Sequence, residues 1–451
     1  MTLAKSLLLG SAAALVAAVS AQAADLPYKK AAPIEYVRIC DSHGAGFFYI
    51  PGTDTCLKIG GNVEFDYQVM SAKKSIGGYK ATHTLGTITN GKLYNANGVF
   101  VRGRLQLDAR NTTAWGTLRT FVSVQIDHKT GDAAAAATPG ASTDVASVDK
   151  AFIQWAGFTA GRYQSVFDFY ADNWNHYDLD DSDASINGLA YTATFGDFLA
   201  TLSLEDRADR LGSTSAGTTT IGGLAQTAIV QGDMVPDIVG QLNYSQGWGQ
   251  VQLTGAAHQQ NTSLVTAAPL GTSANASKSD WGYAGQLGVE INLPMLAAGD
   301  QLWLEGAYTD GALLYNQITG GRNVNGNGLL QTDYDTIWTG TTATGFTIKS
   351  PTSWSALAAF QHYFTPSIIG RLSGTYVEVS YPAGSALSAL TSNFNRLKVA
   401  GQLVWQPIKY FDIGVEVLYV RTDQQYPIAL PAAAKSTINS FESTLHVERD
   451  F

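Results

Sequence analysis

Residues 160–185, AGRYQSVFDFYADNWNHYDLDDSDAS, gather the side chains best suited to acting on charge. Asp168, Asp172, Asp178, Asp180, Asp181 and Asp183 all fall there, and no Lys or Arg lies between Tyr163 and Asp183. Exposed carboxylates are ionised at neutral pH, so the segment is a source of negative field. An acidic run is ordinarily a solvated loop. This one also carries Tyr163, Phe167, Phe169, Tyr170, Trp174 and Tyr177, more aromatic surface than a loop facing only water needs. Both properties suit a segment whose aromatics pack it against a wall while its carboxylates line an opening.

The matching cations are Lys58, Arg102, Arg104, Arg119 and Arg162. Opposed to the aspartates across a short gap, they would set up a transverse field that orients hydrated polar solutes and sets ion preference. Local ion pairs with Asp108, Glu64 and Asp66 on neighbouring strands would satisfy the same arginines, and the two arrangements are compatible. Catalysis finds no support. G-x-S-x-G and HExxH are absent and the seven histidines are scattered. His176 beside Asp178 reads as a solvated ion partner.

Strands must position these groups. In CLKIGGNVEFDYQV, Leu57, Ile59, Val63, Phe65, Tyr67 and Val69 share one face, with Lys58, Asn62, Glu64, Asp66 and Gln68 on the other. VFVRGRLQLDAR sets Val101, Leu105 and Leu107 against Arg102, Arg104, Gln106, Asp108 and Arg110, and GTLRTFVSVQID sets Leu118, Val122, Val124 and Ile126 against Arg119, Ser123, Gln125 and Asp127. NRLKVAGQLVW puts Leu397, Val399, Leu403 and Trp405 opposite Arg396, Lys398 and Gln402, and FDIGVEVLYV points Ile413, Val415, Val417 and Tyr419 outward. Polar faces this charged do not pack together in a soluble sandwich.

Segments 131–143, 212–227, 261–279 and 320–328 read as long loops, and Leu293-Pro294, Phe364-Thr365-Pro366 and Gln406-Pro407 as short breaks. Long and short connections in one chain fit the two ends of a transmembrane barrel. Trp115, Trp155, Trp174, Trp405, Tyr410 and Tyr426 near strand ends suit interfacial girdles.

Lys5, the apolar run Leu7–Val19 and Ala21-Gln22-Ala23 form a secretory signal, residues 1–23, leaving 24–451 as one barrel. The signal's apolar run is too short to span a bilayer, and no run of eighteen apolar residues follows it. The chain has 46 Gly, 21 Tyr, 9 Trp, 14% charged residues and a mean hydropathy of −0.02, as expected of a wall showing lipid and water at alternate positions. A net charge of −9 argues against nucleic acid as a partner. In an exported chain Cys40 and Cys56 are expected to form a disulfide. With His43 the one nearby donor and no second Cys pair, no metal centre is expected there, and no cofactor is expected. The terminal FESTLHVERDF sets Phe441, Leu445, Val447 and Phe451 against Glu442, Thr444, His446, Glu448 and Asp450.

The stretch ADLPYKKAAPIEYVRICDSHGAGFFYIPGTDTCLKIGG, with GRYQSVFDF, LVWQPIKYFDIGVEVLYV and the terminal VERDF, resembles the porin family of alphaproteobacteria over nearly the whole mature chain. The resemblance implies a sixteen-stranded antiparallel barrel in the outer membrane, assembled as homotrimers, with a third loop folded inward from near Tyr163 to near Ile186. It also implies passage of ions and small hydrophilic solutes, contact with outer-membrane lipid, and delivery by the barrel insertion machinery, for which the terminal aromatic Phe451 resembles the assembly signal. Two other functions merit comparison. A sugar or oligosaccharide channel would stack its solute on Tyr163, Phe169, Tyr170, Trp174 and Tyr177, and an outer-membrane hydrolase would need a nucleophile signature.

Overall fold

The computed structural model describes residues 38–72, 97–131, 142–210, 215–221, 224–230, 232, 234–268, 271–316, 335–341, 345–382, 393–425 and 435–451. The signal segment 1–23, positions 132–141, segment 320–328 and Tyr426 lie outside them. The chain divides into two units, residues 1–56 and 57–451. In the first, a disulfide joins Cys40 to Cys56 with Cα atoms 5.9 Å apart, as expected. Both cysteines are buried with Phe47, and Tyr49 packs against them. Closing a loop of this length contributes ~3 kcal/mol in the chain-entropy account.

Sixteen antiparallel strands build the wall of the second unit. They are β1 (Cys56–Ala72), β2 (Asn97–Thr113), β3 (Gly116–Gly131), β4 (Ser142–Trp155), β5 (Phe158–Gln164), β6 (Ser185–Phe195), β7 (Phe198–Glu205) and β8 (Asp237–Gln246), followed by β9 (Gly249–Ala268), β10 (Gly271–Asn292), β11 (Gln301–Asp310), β12 (Thr352–Thr365), β13 (Ile368–Ser380), β14 (Phe394–Ile408), β15 (Phe411–Gln425) and β16 (Lys435–Asp450). Each pairs with its neighbours in sequence, and β16 closes on β1 with Asn62 opposite Asp450 and Asp66 opposite His446. Closure pairs every strand of the wall on both sides, which is what a hydrocarbon environment requires of a sheet.

The faces fall as the alternation predicts, with the apolar side outward. Val63, Phe65, Tyr67, Val69, Leu105, Val124, Ile126, Leu403, Trp405, Val415, Val417, Phe441 and Leu445 are exposed, while Asn62, Asp66, Asp108, Asp127, Gln402, Glu416, Thr444 and His446 are buried. In water this would be inside out. In a bilayer it is the stable arrangement. Aromatic residues mark two exterior levels. Trp115, Trp155, Phe158, Phe198, Trp248, Phe364, Trp405 and Tyr410 are exposed at the end with short turns, and Trp281, Tyr283, Tyr308, Trp354 and Phe441 at the other. On β12, Trp354 and Phe364 are separated by ~33 Å of strand, or ~25 Å of depth at the usual tilt.

Two expected loops are sheet. Segment 261–279 is mostly strand, because β9 and β10 pair in register from Gly249↔Ile291 out to Ala268↔Gly271. Within 212–227, Ser215–Ile221 pairs with Leu224–Val230 as a hairpin, and the second strand extends the sheet along β9. Their Thr, Val and Ser residues favour strand as readily as loop, and pairing with a neighbour decides the outcome. Pro407 lies within β14, and the turn follows at Lys409 and Tyr410.

At the seam, Gly61 and Phe451 exchange backbone hydrogen bonds of 3.2 and 3.0 Å. A Cβ on Gly61 would stand 2.1 Å from the Arg104 carbonyl oxygen, so the close approach of β1 and β2 requires glycine there.

Candidate functional site

Residues 165–184 leave the wall after β5 and return at β6, within two residues of the expected bounds. They turn inward because the wall supplies partners for their backbone. Ser165 Oγ and the Val166 N–H donate to Glu205 of β7 at 2.7 and 3.2 Å. Gln252 Nε2 of β9 donates to the Asp168 carbonyl at 2.9 Å, and the Tyr170 N–H donates to Glu305 of β11 at 3.1 Å. Asn175 Nδ2 donates to Ser373 of β13 at 2.7 Å, Gln402 of β14 donates to the Trp174 carbonyl, and the His176 and Tyr177 N–H groups donate to Glu416 of β15. The segment therefore crosses from β5 and β6 along the inside of the wall to β15. At its bend Ala171 and Asp172 adopt φ values of 50° and 49°. Asp172 fixes this left-handed turn by accepting the Leu179 N–H at 2.8 Å.

Packing supplies the second fastening. Phe169, Tyr170 and Trp174 surround Trp303 of β11 at ring distances of 5.0, 5.8 and 6.3 Å. Phe167 meets Tyr315 edge-on at 4.7 Å. Phe169 occupies the space a side chain at Gly288 would fill, since a Cβ there would lie 2.1 Å from the Phe169 ring. Tyr163, Phe167, Tyr170, Trp174 and Tyr177 are all buried. They hold the loop down and offer no open stacking track. Trp174 belongs to this core and not to an exterior girdle.

The aspartates divide into anchors and exposed groups. Asp180 is 1% exposed and receives Arg396 Nε at 2.7 Å and Lys398 Nζ at 3.1 Å, both from β14. Burial alone would raise its pKa, but the two cations hold it below the ordinary value. Asp168 is buried against Arg210 at 2.8 Å and accepts the Ala184 N–H at 2.8 Å. Asp181 is buried and accepts the Asp172 N–H at 3.1 Å, and burial pushes its carboxyl up to about 7. Burial, then the charge of Asp181, raises half-buried Asp172 as well. Asp178 and Asp183 are exposed. Three of the six expected lining carboxylates, Asp168, Asp180 and Asp181, are thus buried supports, held by Arg210 after β7, by Arg396 and Lys398 of β14, and by the loop's own Asp172 N–H.

Of the five expected basic residues, three make local ion pairs of the kind the sequence allows and two lie apart from them. Arg102 pairs with Asp127 at 2.8 Å and Glu64 at 3.6 Å, Arg104 with Gln125 at 3.0 Å and Asp149 at 3.8 Å, and Arg119 with Asp108 at 3.0 Å. These three form one partly buried ladder on β2 and β3, each residue beside a carboxylate. Arg162 instead pairs with Asp209 at 2.7 Å at the end with long connections. Lys58 lies exposed eight positions before Asp66 on β1, ~26 Å along the strand toward the short-turn end, and so away from the loop. Sequence reasoning put Arg396 and Lys398 on the inward face but missed that they grip Asp180. His176, expected to be solvated beside Asp178, stacks on His446 at 3.7 Å, and burial followed by the neighbouring His446 lowers its pKa to about 4.

A closed antiparallel wall with an apolar exterior, a polar interior and a loop fastened inside it defines an outer-membrane channel-type barrel. The sequence profile of the Porin subfamily matches residues 25–446, and the chain belongs to that family. Porin Omp2b of Brucella suis is 32% identical over 259 residues, covering 55% of this chain and 64% of that protein. Porin Omp2b of Brucella abortus (strain 2308) is 36% identical over 254 residues with the same coverage. The match thus spans just under two thirds of these curated relatives. The outer membrane channel DcaP of Acinetobacter baumannii shares the fold with a TM-score of 0.58 at 14% identity, over 89% of this chain and 99% of that one.

Proposed function

We propose that the protein forms a water-filled pore through which ions and small hydrophilic solutes diffuse passively. The observation that carries this reading is the inward loop, anchored from β7 to β15 inside a closed wall with a polar inner face. Asp178 and Asp183 supply the loop's exposed negative charge. The paired ladder supplies a polar surface of nearly balanced charge. With a chain charge of −9, this favours modest cation preference. Family membership favours the same reading over an outer-membrane hydrolase. Burial of Tyr170, Trp174 and Tyr177 weakens the case for a sugar-specific channel. Homotrimeric assembly follows from the resemblance to porins. Single-channel recording in a planar bilayer tests the proposal. Ohmic conductance without saturation by sugars is expected, and absence of conductance from folded protein would refute it.

A further inference from the structure

Where the loop reaches the seam of the wall, Glu64 and Asp66 of β1, His446 of β16 and His176 of the loop each present a ligand atom within 4.8 Å of the others. The wall donors are set by strand register, since Asp66 lies opposite His446 and Glu64 opposite Glu448. The fourth donor is delivered by Glu416, which accepts the His176 N–H at 3.0 Å. We propose that this cluster binds a divalent transition metal of the Zn²⁺ type and so fastens the loop to the seam.

Two imidazoles and two carboxylates are a donor set that suits Zn²⁺, and two carboxylates match its charge. Tetrahedral Zn²⁺ places its donors about 3.4 Å apart. The cluster spans up to 4.8 Å and its two imidazoles stack at 3.7 Å, so binding requires the His176 ring to turn out of the stack and aim its lone pair at the ion. His446 Nδ1 lies 2.7 Å from Asp66 Oδ1, so the ion would replace the proton these groups share. His446 Nε2 would then carry the remaining proton and donate to Glu448, 3.3 Å away, which would orient the ring. Imidazole donors disfavour Mg²⁺ and Ca²⁺, which prefer all-oxygen shells. Occupancy would hold the loop across the lumen and reduce conductance.

The test uses full-length mature protein without a histidine tag. Micromolar ZnCl₂ should lower single-channel conductance and EDTA should restore it, whereas MgCl₂ and CaCl₂ at the same concentration should have no effect. His176→Asn should raise the half-effective ZnCl₂ concentration by at least about tenfold. Independently of conduction, CoCl₂ should give visible absorption that saturates at one equivalent in the parent and is lost in His446→Gln. An unchanged ZnCl₂ response in His176→Asn overturns the proposal, as does failure of the parent to bind Co²⁺. The cobalt titration of the parent decides the matter if a variant does not fold.

Discussion

At the scale of single residues, the same side chain does opposite jobs within one loop. Asp180 is buried against Arg396 and Lys398, so Asp180→Asn would leave two cations without their counter-charge. Breaking a buried pair on one side costs about 3 kcal/mol, enough to free the loop from β14. Proteoliposome swelling should then admit larger neutral solutes than the parent does, and an unchanged size limit would count against the anchor role. Acidity should act on the fastening as well. The Asp181 carboxyl is raised to about 7 when docked, so its stabilising contribution is complete below its free value of about 4 and is lost as pH rises through 7. Open-channel noise should therefore increase from pH 5 to pH 8, and it should not do so in Asp181→Asn. A flat parent profile over that range would exclude Asp181 as the titrating fastener.

At the scale of elements, two glycines mark where backbone or ring approaches too closely for a side chain. Gly61→Val would drive β1 away from the Arg104 carbonyl and weaken closure with Phe451, so the folded barrel should unfold in SDS at a lower temperature than the parent, as read from its shift to unfolded mobility on a gel. Deleting Phe451 should instead reduce the amount inserted while leaving the conductance of each inserted channel unchanged. The strands themselves were legible in sequence because period-2 alternation is local, and Val63, Phe65, Tyr67 and Val69 face outward as that pattern requires. The acidic, aromatic character of segment 160–185 was legible in its composition, while its bounds came from the resemblance to porins. The ends of β9 and β10 were not legible, because Thr-, Ser- and Ala-rich sequence is strand or loop according to what lies beside it. Which aspartates line the opening was equally hidden, because it depends on residues far along the chain. Asp180 is neutralised by Arg396, and Asp168 by Arg210.

At the scale of the whole molecule, what counts is the field summed across the lumen. Asp178 and Asp183 are exposed on the loop, and Arg102, Arg104 and Arg119 form a ladder with its own carboxylates Glu64, Asp108, Asp127 and Asp149; in the proposed pore the two sets face each other. Over an opening comparable to the Debye length, about 8 Å at physiological salt, neither side is fully screened. Asp178→Asn with Asp183→Asn removes loop charge without touching the anchors at Asp168, Asp180 and Asp181. The zero-current potential under a KCl gradient should then move toward anions. Replacing Arg102, Arg104 and Arg119 with Gln leaves their carboxylates uncompensated and should move it toward cations. Both shifts should shrink at molar salt, where the Debye length falls to about 3 Å. A double Asn variant that keeps the parent potential at low salt would mean that Asp178 and Asp183 lie away from the conduction path, and the opening would then have to be drawn elsewhere along the loop.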